Sequence, residues 1–404
     1  RRHPRSTLFP YTTLFRSDLT LPSGHSSHVL ASIRELSRKG HVIVLLAIGF
    51  KKDLRQPVKF VHVPSLKISG LTSISFGVAS IVMLARELIR GRTNLFYTRY
   101  FKGVSLPLFI ARIAGFPSVV EVNADTANER RANRRGHIAT QIEEIEERVI
   151  YYLADALIGV TEAVAHGIVG LEPKAKRKVK VIGNGVDTRL YHPLDRTACA
   201  LKHGLNPDRK RIIFAGAFQI WQGILDLVAA MEIVARHRQD ADLLLVGDGP
   251  LRNVIEQTTE AEGIEKHVQI TGYVPEETVA ALVGASDLCV APYNREAMSH
   301  SGSAMDGRGA LMRRSPLKLY MYLACGRPVI ASHFREAGEY LEENEAGLAV
   351  PPENPPELAR AILTLLDNSA KATAMGVRGR QLALDRHDWS RVVDRYLEIA
   401  KEII

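Results

Sequence analysis

The sequence predicts an α/β protein of two similar halves, each built on a doubly wound parallel sheet. Three observations lead there. Short, largely apolar runs such as 42–47, which is apolar throughout, 95–98, 118–122, 211–215 and 242–246 alternate with amphipathic stretches of helical period. Continuous apolar runs are what strands buried on both faces require, and their alternation with helices makes a parallel sheet. The alternation stops at Gly183-Asn184-Gly185-Val186-Asp187, which is turn chemistry, and then restarts. Finally, 404 residues are too many for one ordinary core and suit two domains.

Residues 1–17 stand apart. They lack an initiator methionine, repeat Thr-Leu-Phe around Pro10, and resemble translated sequencing-adapter sequence. They are set aside as a non-native segment. Residues 18–24 contain no apolar run, so the opening strand of the first half is expected to be missing, and 21–25 read as the loop that followed it. The first half then runs helix 29–39, closed by Gly40, strand 42–47, strand 60–63, helix 74–89, strand 95–98, helix 106–114 and strand 118–122. A polar, arginine-rich segment, 123–137, leads to helix 140–153, strand 156–160, helix 162–169 and strand 179–182. The second half runs strand 211–215, helix 223–236, strand 242–246, helix 251–262, strand 268–270, helix 275–284 and strand 288–291. A Gly/Ser/Met/Arg loop, 294–314, precedes a short helix that starts at Ser315-Pro316. Ser315 is a natural N-cap and Pro316 a natural first helical residue. Gly326 ends that helix, a strand follows from Pro328, and helices are expected at 336–342, 356–366, 370–384 and 390–403. The domains are therefore 18–187 and 188–386, with 387–404 as a last helix crossing back to the first.

Charge is uneven. The net charge is +9, yet residues 18–190 alone carry 25 Lys and Arg against 15 Asp and Glu. A basic half suits an anionic membrane surface or a lipid-phosphate acceptor. No nucleic-acid motif is present, so nucleic acid is not expected as a partner. The longest apolar runs, 42–48 and 78–85, fall far short of a membrane span. Cys199, Cys289 and Cys325 are widely spaced and read as the reduced thiols of a cytosolic protein. No metal site is expected. The Asp240-Ala241-Asp242 stretch precedes a strand, and the histidines show no ligand spacing.

Open α/β sheets bind ligands beyond the carboxyl ends of their strands. In the second half the loops at that edge are 216–223, 247–250, 272–275 and the one ending at Ser315, and each carries glycine, which lets backbone approach a ligand. The free N–H groups of the helix beginning there form an anion site suited to a diphosphate. Lys318 is the nearest cation. In the first half, Asn123, Asp125 and His137 are the polar candidates. His137 is either an acid/base group or a plain surface histidine.

The stretch Ser-Pro-Leu-Lys-Leu-Tyr-Met-Tyr-Leu-Ala-Cys-Gly-Arg-Pro-Val-Ile, 315–330, resembles a signature of the retaining glycosyltransferases of family 4. Gly216-Ala217-Phe218 with Trp221-Gln222-Gly223, Val246-Gly247-Asp248-Gly249-Pro250, Gly272-Tyr273-Val274-Pro275 and 285–293 are similar to that family's donor loops. In the first half, 97–100, 120–123, 154–162 and 184–187 are similar to its first domain. The resemblance implies a GT-B fold, two Rossmann-like domains facing a cleft. It implies transfer of a sugar from a nucleotide diphosphate sugar to a glycan or lipid-linked acceptor, with retention, without metal or cofactor. The setting would be bacterial cell-surface polysaccharide or glycolipid synthesis, in the cytoplasm and peripheral at the inner membrane face. Donor binding would fall to Gly216, Ala217, Trp221, Gln222, Gly247, Gly249, Tyr273, Val274, Ser315, Pro316, Leu317, Lys318 and Met321. Acceptor-side residues would be Gly24, His25, Arg99, Glu121, Asn123 and Asp125, with Lys318, Asn123 and His137 as the catalytic set. Three positions depart from the family pattern. Met321 stands where relatives carry a ribose-binding glutamate, and Gln219 and Gln222 stand where they often carry cations. Those departures leave two alternatives open: a catalytically weak GT-B binding subunit, or a sugar-nucleotide epimerase of the same fold.

Overall fold

The structure, a computed structural model, describes residues 11–18, 24–49, 58–65, 72–90, 94–123, 137–295 and 315–404. The chain forms two compact units, Arg1–Asn184 with Trp389–Ile404, and Gly185–Asp388. The division falls inside the 183–187 turn.

The first unit contains β1 (Tyr11–Asp18), α1 (Gly24–Arg38), β2 (Ile43–Gly49), β3 (Val58–His62), α2 (Thr72–Ile89), β4 (Leu95–Arg99), α3 (Ser105–Ile113), β5 (Ser118–Val122), α4 (His137–Leu153), β6 (Ala156–Gly159), α5 (Glu162–Leu171) and β7 (Val179–Val181). Its sheet order is β3-β2-β1-β4-β5-β6-β7, all parallel. The second unit contains α6 (Arg196–Lys202), β8 (Lys210–Ala215), α7 (Ile224–His237), β9 (Ala241–Val246), α8 (Arg252–Ala261), β10 (Val268–Gly272), α9 (Glu276–Gly284), β11 (Leu288–Ala291), α10 (Leu317–Ala324), β12 (Val329–Ser332), α11 (Tyr340–Glu343), β13 (Gly347–Val350), α12 (Pro355–Asp367) and α13 (Ser369–Leu382). Its sheet order is β10-β9-β8-β11-β12-β13, again parallel. The closing helix α14 (Trp389–Ile403) packs into the first unit beside α1.

Burial on both sheet faces explains the continuous apolar runs. In β2, Val44 and Leu46 enter one core while Ile43, Leu45 and Ala47 enter the other. In β8, Ile213 and Ala215 face one side and Ile212 and Phe214 the opposite. Each strand therefore needs apolar residues at every position rather than at alternate ones.

Several expectations are corrected. The opening strand is present: Tyr11–Asp18 lies between β2 and β4, in register from Tyr11 opposite Ile43 and Leu95. Without a strand there, β2 and β4 would leave two rows of backbone groups unpaired in mid-sheet, and any adjacent β-prone segment can fill such a slot. The segment supplies Tyr, Thr, Thr, Leu and Phe in succession, which are largely good strand formers. Gly24 and His25, expected in a loop, lie in the first turn of α1. Helix α6 was not anticipated, although Asp195 caps it by accepting from the Ala198 N–H at 2.7 Å. The helix expected at 336–342 opens instead as a wide π-type turn, Arg335–Glu339, before α11. Helix α10 starts one residue late. Pro316, at φ −79° and ψ 70°, occupies the capping position and no side chain caps the helix. Most of the loop expected at 294–314, like Asp125, lies outside the described residues.

Candidate functional site

In the second unit the strand order reverses between β8 and β11, which places the ligand-accepting crevice at the carboxyl edge beside those two strands. The loops at that edge are drawn together by backbone contacts. Gly247, at φ +140°, approaches so closely that a Cβ on it would lie 2.0 Å from the Gly216 carbonyl oxygen. Its N–H donates to the Gly272 carbonyl at 3.0 Å. Gly223, at φ +66°, leaves room for the loop after β11; a Cβ there would lie 1.7 Å from the Pro292 oxygen. Asn294 ties the same two loops, its backbone N–H donating to the Trp221 carbonyl at 3.3 Å and its Nδ2 to the Ile220 carbonyl at 2.7 Å. Trp221 and Tyr293 lie with rings parallel, 6.3 Å apart.

Lys318 sits at the centre of this edge. It is the second residue of α10 and is buried. Its Nζ donates to Gln222 Oε1 and lies 3.6 Å from the centroid of the Phe214 ring. An ideal Cβ on Gly216 would stand 3.0 Å from Nζ, so the ammonium points at the end of β8. Among the described residues no carboxylate forms an ion pair with it, and burial pushes its pKa well below that of an ordinary lysine. Among the described residues it meets an amide and aromatic faces, and its charged form is costly there without an anion. Tyr322, fully buried, accepts the Ala215 N–H at 2.7 Å and so locks α10 to β8. Tyr320 stacks on His387 at 3.9 Å, and the Tyr340 hydroxyl lies 2.7 Å from His387 Nε2.

The other expected donor residues are placed as follows. Ala217 and Tyr273 are exposed; Gly216, Gln219, Trp221, Gly247, Gly249, Val274, Ser315, Leu317 and Met321 are half-buried. Met321 packs partly against the core. The Ser315 hydroxyl donates to the Tyr320 hydroxyl at 3.5 Å and does not accept from the N–H groups of the helix start.

The first unit carries a separate polar cluster at the carboxyl edge of its own sheet. Glu121, near the end of β5, is fully buried. Its Oε1 lies 3.2 Å from His28 Nε2 and 3.1 Å from Arg99 Nε. The Tyr97 hydroxyl donates to Oε2, and the Tyr396 hydroxyl approaches the same oxygen at 3.5 Å. The His28 ring stands edge-on to Trp389 at 4.6 Å. Burial opposes ionisation of Glu121, but His28, Arg99 and the Tyr97 hydroxyl outweigh it and hold its carboxyl well below the usual range. Burial pushes the His28 imidazole down, against the pull of Glu121. Of the expected acceptor-side residues, Arg99 and Glu121 thus meet. Asn123, two residues beyond Glu121, is half-buried, and its Oδ1 has no hydrogen-bond partner among the described residues. His137 opens α4, and its side chain, like that of His25, lies outside what is described.

Sequence reasoning missed His28, Tyr97 and Tyr396 here, and Tyr293 and Tyr322 in the second unit. One signal was available for His28: it follows His25 by three residues, on the inward face that Val29 and Ile33 share.

Two parallel-sheet units of this kind define a GT-B fold, and the solved structures agree. A glycosyltransferase from Rickettsia africae superposes with a TM-score of 0.74 at 17% identity, covering 97% of this chain and 98% of the other. Anabaena HepE in complex with UDP gives 0.73 at 19%, covering 97% and 99%. The model for "Glycosyltransferase Family 4" matches residues 22–190, and that for "Glycosyl transferases group 1" matches 209–368. An α-D-kanosaminyltransferase of Streptomyces kanamyceticus is 22% identical over 307 residues, 74% of this chain and 73% of that protein. The chain is a GT-B glycosyltransferase.

Proposed function

We propose that the protein transfers a sugar from a nucleotide diphosphate sugar to a glycan or lipid-linked acceptor, with retention of configuration and without a metal. The observation that carries this reading is Lys318: a buried cation with no described carboxylate partner, on the first turn of α10, at the edge where the sheet order reverses. A diphosphate would supply the missing negative charge and would lie at the positive end of α10, where the Leu317 and Leu319 N–H groups already donate to the Ser315 and Pro316 carbonyls. Gln222 would orient the ammonium, and the backbone of Gly216, Ala217, Gly247 and Gly249 would approach the phosphates. The Tyr273-Val274 backbone would meet the base, with Met321 beside the ribose. The bond from the anomeric carbon to the diphosphate oxygen breaks, a bond to the acceptor hydroxyl forms on the same face, and the hydroxyl proton leaves with the diphosphate. Stabilising that leaving group is the task of Lys318 and the helix start.

The first unit would bind the acceptor, with Arg99, Glu121 and Asn123 at its carboxyl edge; Gly24, His25, Asp125 and His137 remain proposed members of that side. No helix among the described residues is long and apolar enough to cross a membrane. The basic first half supports a peripheral seat at the inner membrane face, in cell-surface polysaccharide or glycolipid synthesis.

The test is incubation with UDP-, GDP- and ADP-sugars, reading nucleotide release with and without membrane extract. Acceptor-dependent release of one nucleoside diphosphate supports the transferase. Isomerisation of the sugar nucleotide without acceptor would instead make the protein an epimerase. Tight nucleotide binding with no turnover on any donor would make it a binding subunit.

A further inference from the structure

Helices α2, α3 and α4 form one layer on the first sheet. α3 packs against both neighbours, and all three send residues such as Phe76, Leu108 and Ile150 into the same core. Their opposite faces therefore look out together. On ordinary surface helices those faces are polar; here they are not. On α2 the outward positions Val78, Val82 and Ile89 are exposed, Ile89 by 87%. On α3 they are Leu106, Phe109 and Ile113, the last 68% exposed. On α4 they are Ile142, Ile145, Val149 and Tyr152, with Ile142 at 62%. The spacings are three, four and seven residues, so each set is a stripe. Three adjacent apolar stripes exceed the scattered exposed residues of a typical soluble surface.

The charges on this layer are sorted. Arg86, Arg112 and Arg148, one from each helix, are exposed, with Arg112 3.4 Å from Asp155. The carboxylates turn inward: Glu87 is buried against Lys59, Glu143 is buried against Lys102, and Glu147 is buried. Glu146, half-buried, accepts from the Gly103 N–H and the Ser105 hydroxyl, and Glu144 is half-buried. The face is thus apolar with a cationic fringe. A second copy docked by a two-fold axis would set arginine against arginine. An anionic surface meets no such repulsion.

We propose that the α2–α3–α4 face is where the protein rests on an anionic lipid bilayer. The apolar stripes enter the headgroup boundary and the arginines meet lipid phosphates. This deepens the membrane placement proposed above by naming the surface, and it does not depend on the transfer reaction.

The experiment is co-sedimentation of the full chain with phosphatidylglycerol-containing vesicles and with pure phosphatidylcholine vesicles. Two variants accompany it, Phe109→Ser/Ile113→Ser and Arg86→Glu/Arg148→Glu, each checked for unchanged thermal unfolding and nucleotide binding. The unaltered chain is expected to pellet with the anionic vesicles and to release at about 1 M salt. Each double variant is expected to lower partitioning roughly 10-fold or more. Failure to bind anionic vesicles, equal binding to both vesicle types, or binding untouched by either variant overturns the proposal. So does light scattering that shows a dimer which Phe109→Ser/Ile113→Ser disperses while vesicle binding is unchanged. Nucleotide turnover on a soluble acceptor is read in parallel, so failure here is distinguishable from failure of the transferase reading.

Discussion

Replacing Lys318 with methionine separates ligand binding from folding. The two side chains are close in volume, and methionine needs no hydrogen bond. In the folded protein the Lys318 Nζ donates to Gln222 and is buried over Phe214 without a described counter-charge. Removing it deletes that bond, worth about 1 kcal/mol, and strands the Gln222 oxygen, at a further cost of about 1–3 kcal/mol. It also removes an amine whose charged form burial disfavours, which offsets part of that cost. These changes oppose one another, and since about 1 kcal/mol moves a unit of this size by only about 2–4 °C, the melting temperature is expected to stay within a few degrees. Binding has no such compensation. A hydrogen bond from a charged donor to a phosphate is worth about 1.5–3 kcal/mol, so the Kd for the preferred nucleoside diphosphate should rise roughly 10- to 100-fold. Calorimetric titration and thermal melting on the same samples read both quantities. An unchanged Kd would refute the assignment of Lys318 to the diphosphate. A Kd that rises only alongside a collapse in melting temperature would make the lysine structural.

Other consequences follow from the same geometry. Gly223→Ala forces a left-handed φ on alanine and drives its Cβ to 1.7 Å from the Pro292 oxygen, so it should destabilise the second unit by at least about 3 kcal/mol, read from a urea midpoint; a near-neutral effect would contradict the loop contact. Met321→Glu restores an acceptor beside the proposed ribose and should tighten nucleotide binding about 10-fold, read by titration; unchanged affinity would place position 321 away from the ribose. The first unit should lose stability in acid. His28 is pushed down by burial, so the unfolded chain takes up a proton, near pH ~6.5, that the folded chain refuses. Its contribution is therefore complete above that pH and is lost as the pH falls below it. Glu121, held ionised in the fold, contributes above about pH 4.3 and loses that contribution as the pH drops further, with the same sign. Melting temperature should fall from pH 7 to pH 4, and His28→Gln should flatten the upper part of that slope; a flat profile for the unaltered chain would sink the argument.

Strand-by-strand reading worked where local pattern decides structure. The runs at 118–122 and 288–291 coincide with β5 and β11 to the residue, because both faces of those strands are buried. The turn expected at 183–187 contains the observed division between units. What stayed hidden depends on contacts far apart in the chain. Residues 28, 97, 99, 121 and 396 meet around one carboxylate, yet nothing in the local sequence at any of them points to the others. Lys318 could be placed on a helix start from the Ser-Pro-Leu-Lys pattern. Its burial against Phe214 and Gln222 could not, since a helix-surface lysine is solvated by default. The Tyr11–Asp18 strand was dismissed on its odd sequence, although the vacant slot between β2 and β4 places few demands on sequence beyond β-propensity.

The central claim is that the carboxyl edge of the second sheet binds the diphosphate of a nucleotide sugar. Titration of the folded chain with UDP, GDP and ADP tests it most directly. Micromolar binding of one of the three is expected, abolished or strongly weakened by Lys318→Met. Absence of binding to all three by a sample that melts cooperatively would contradict it.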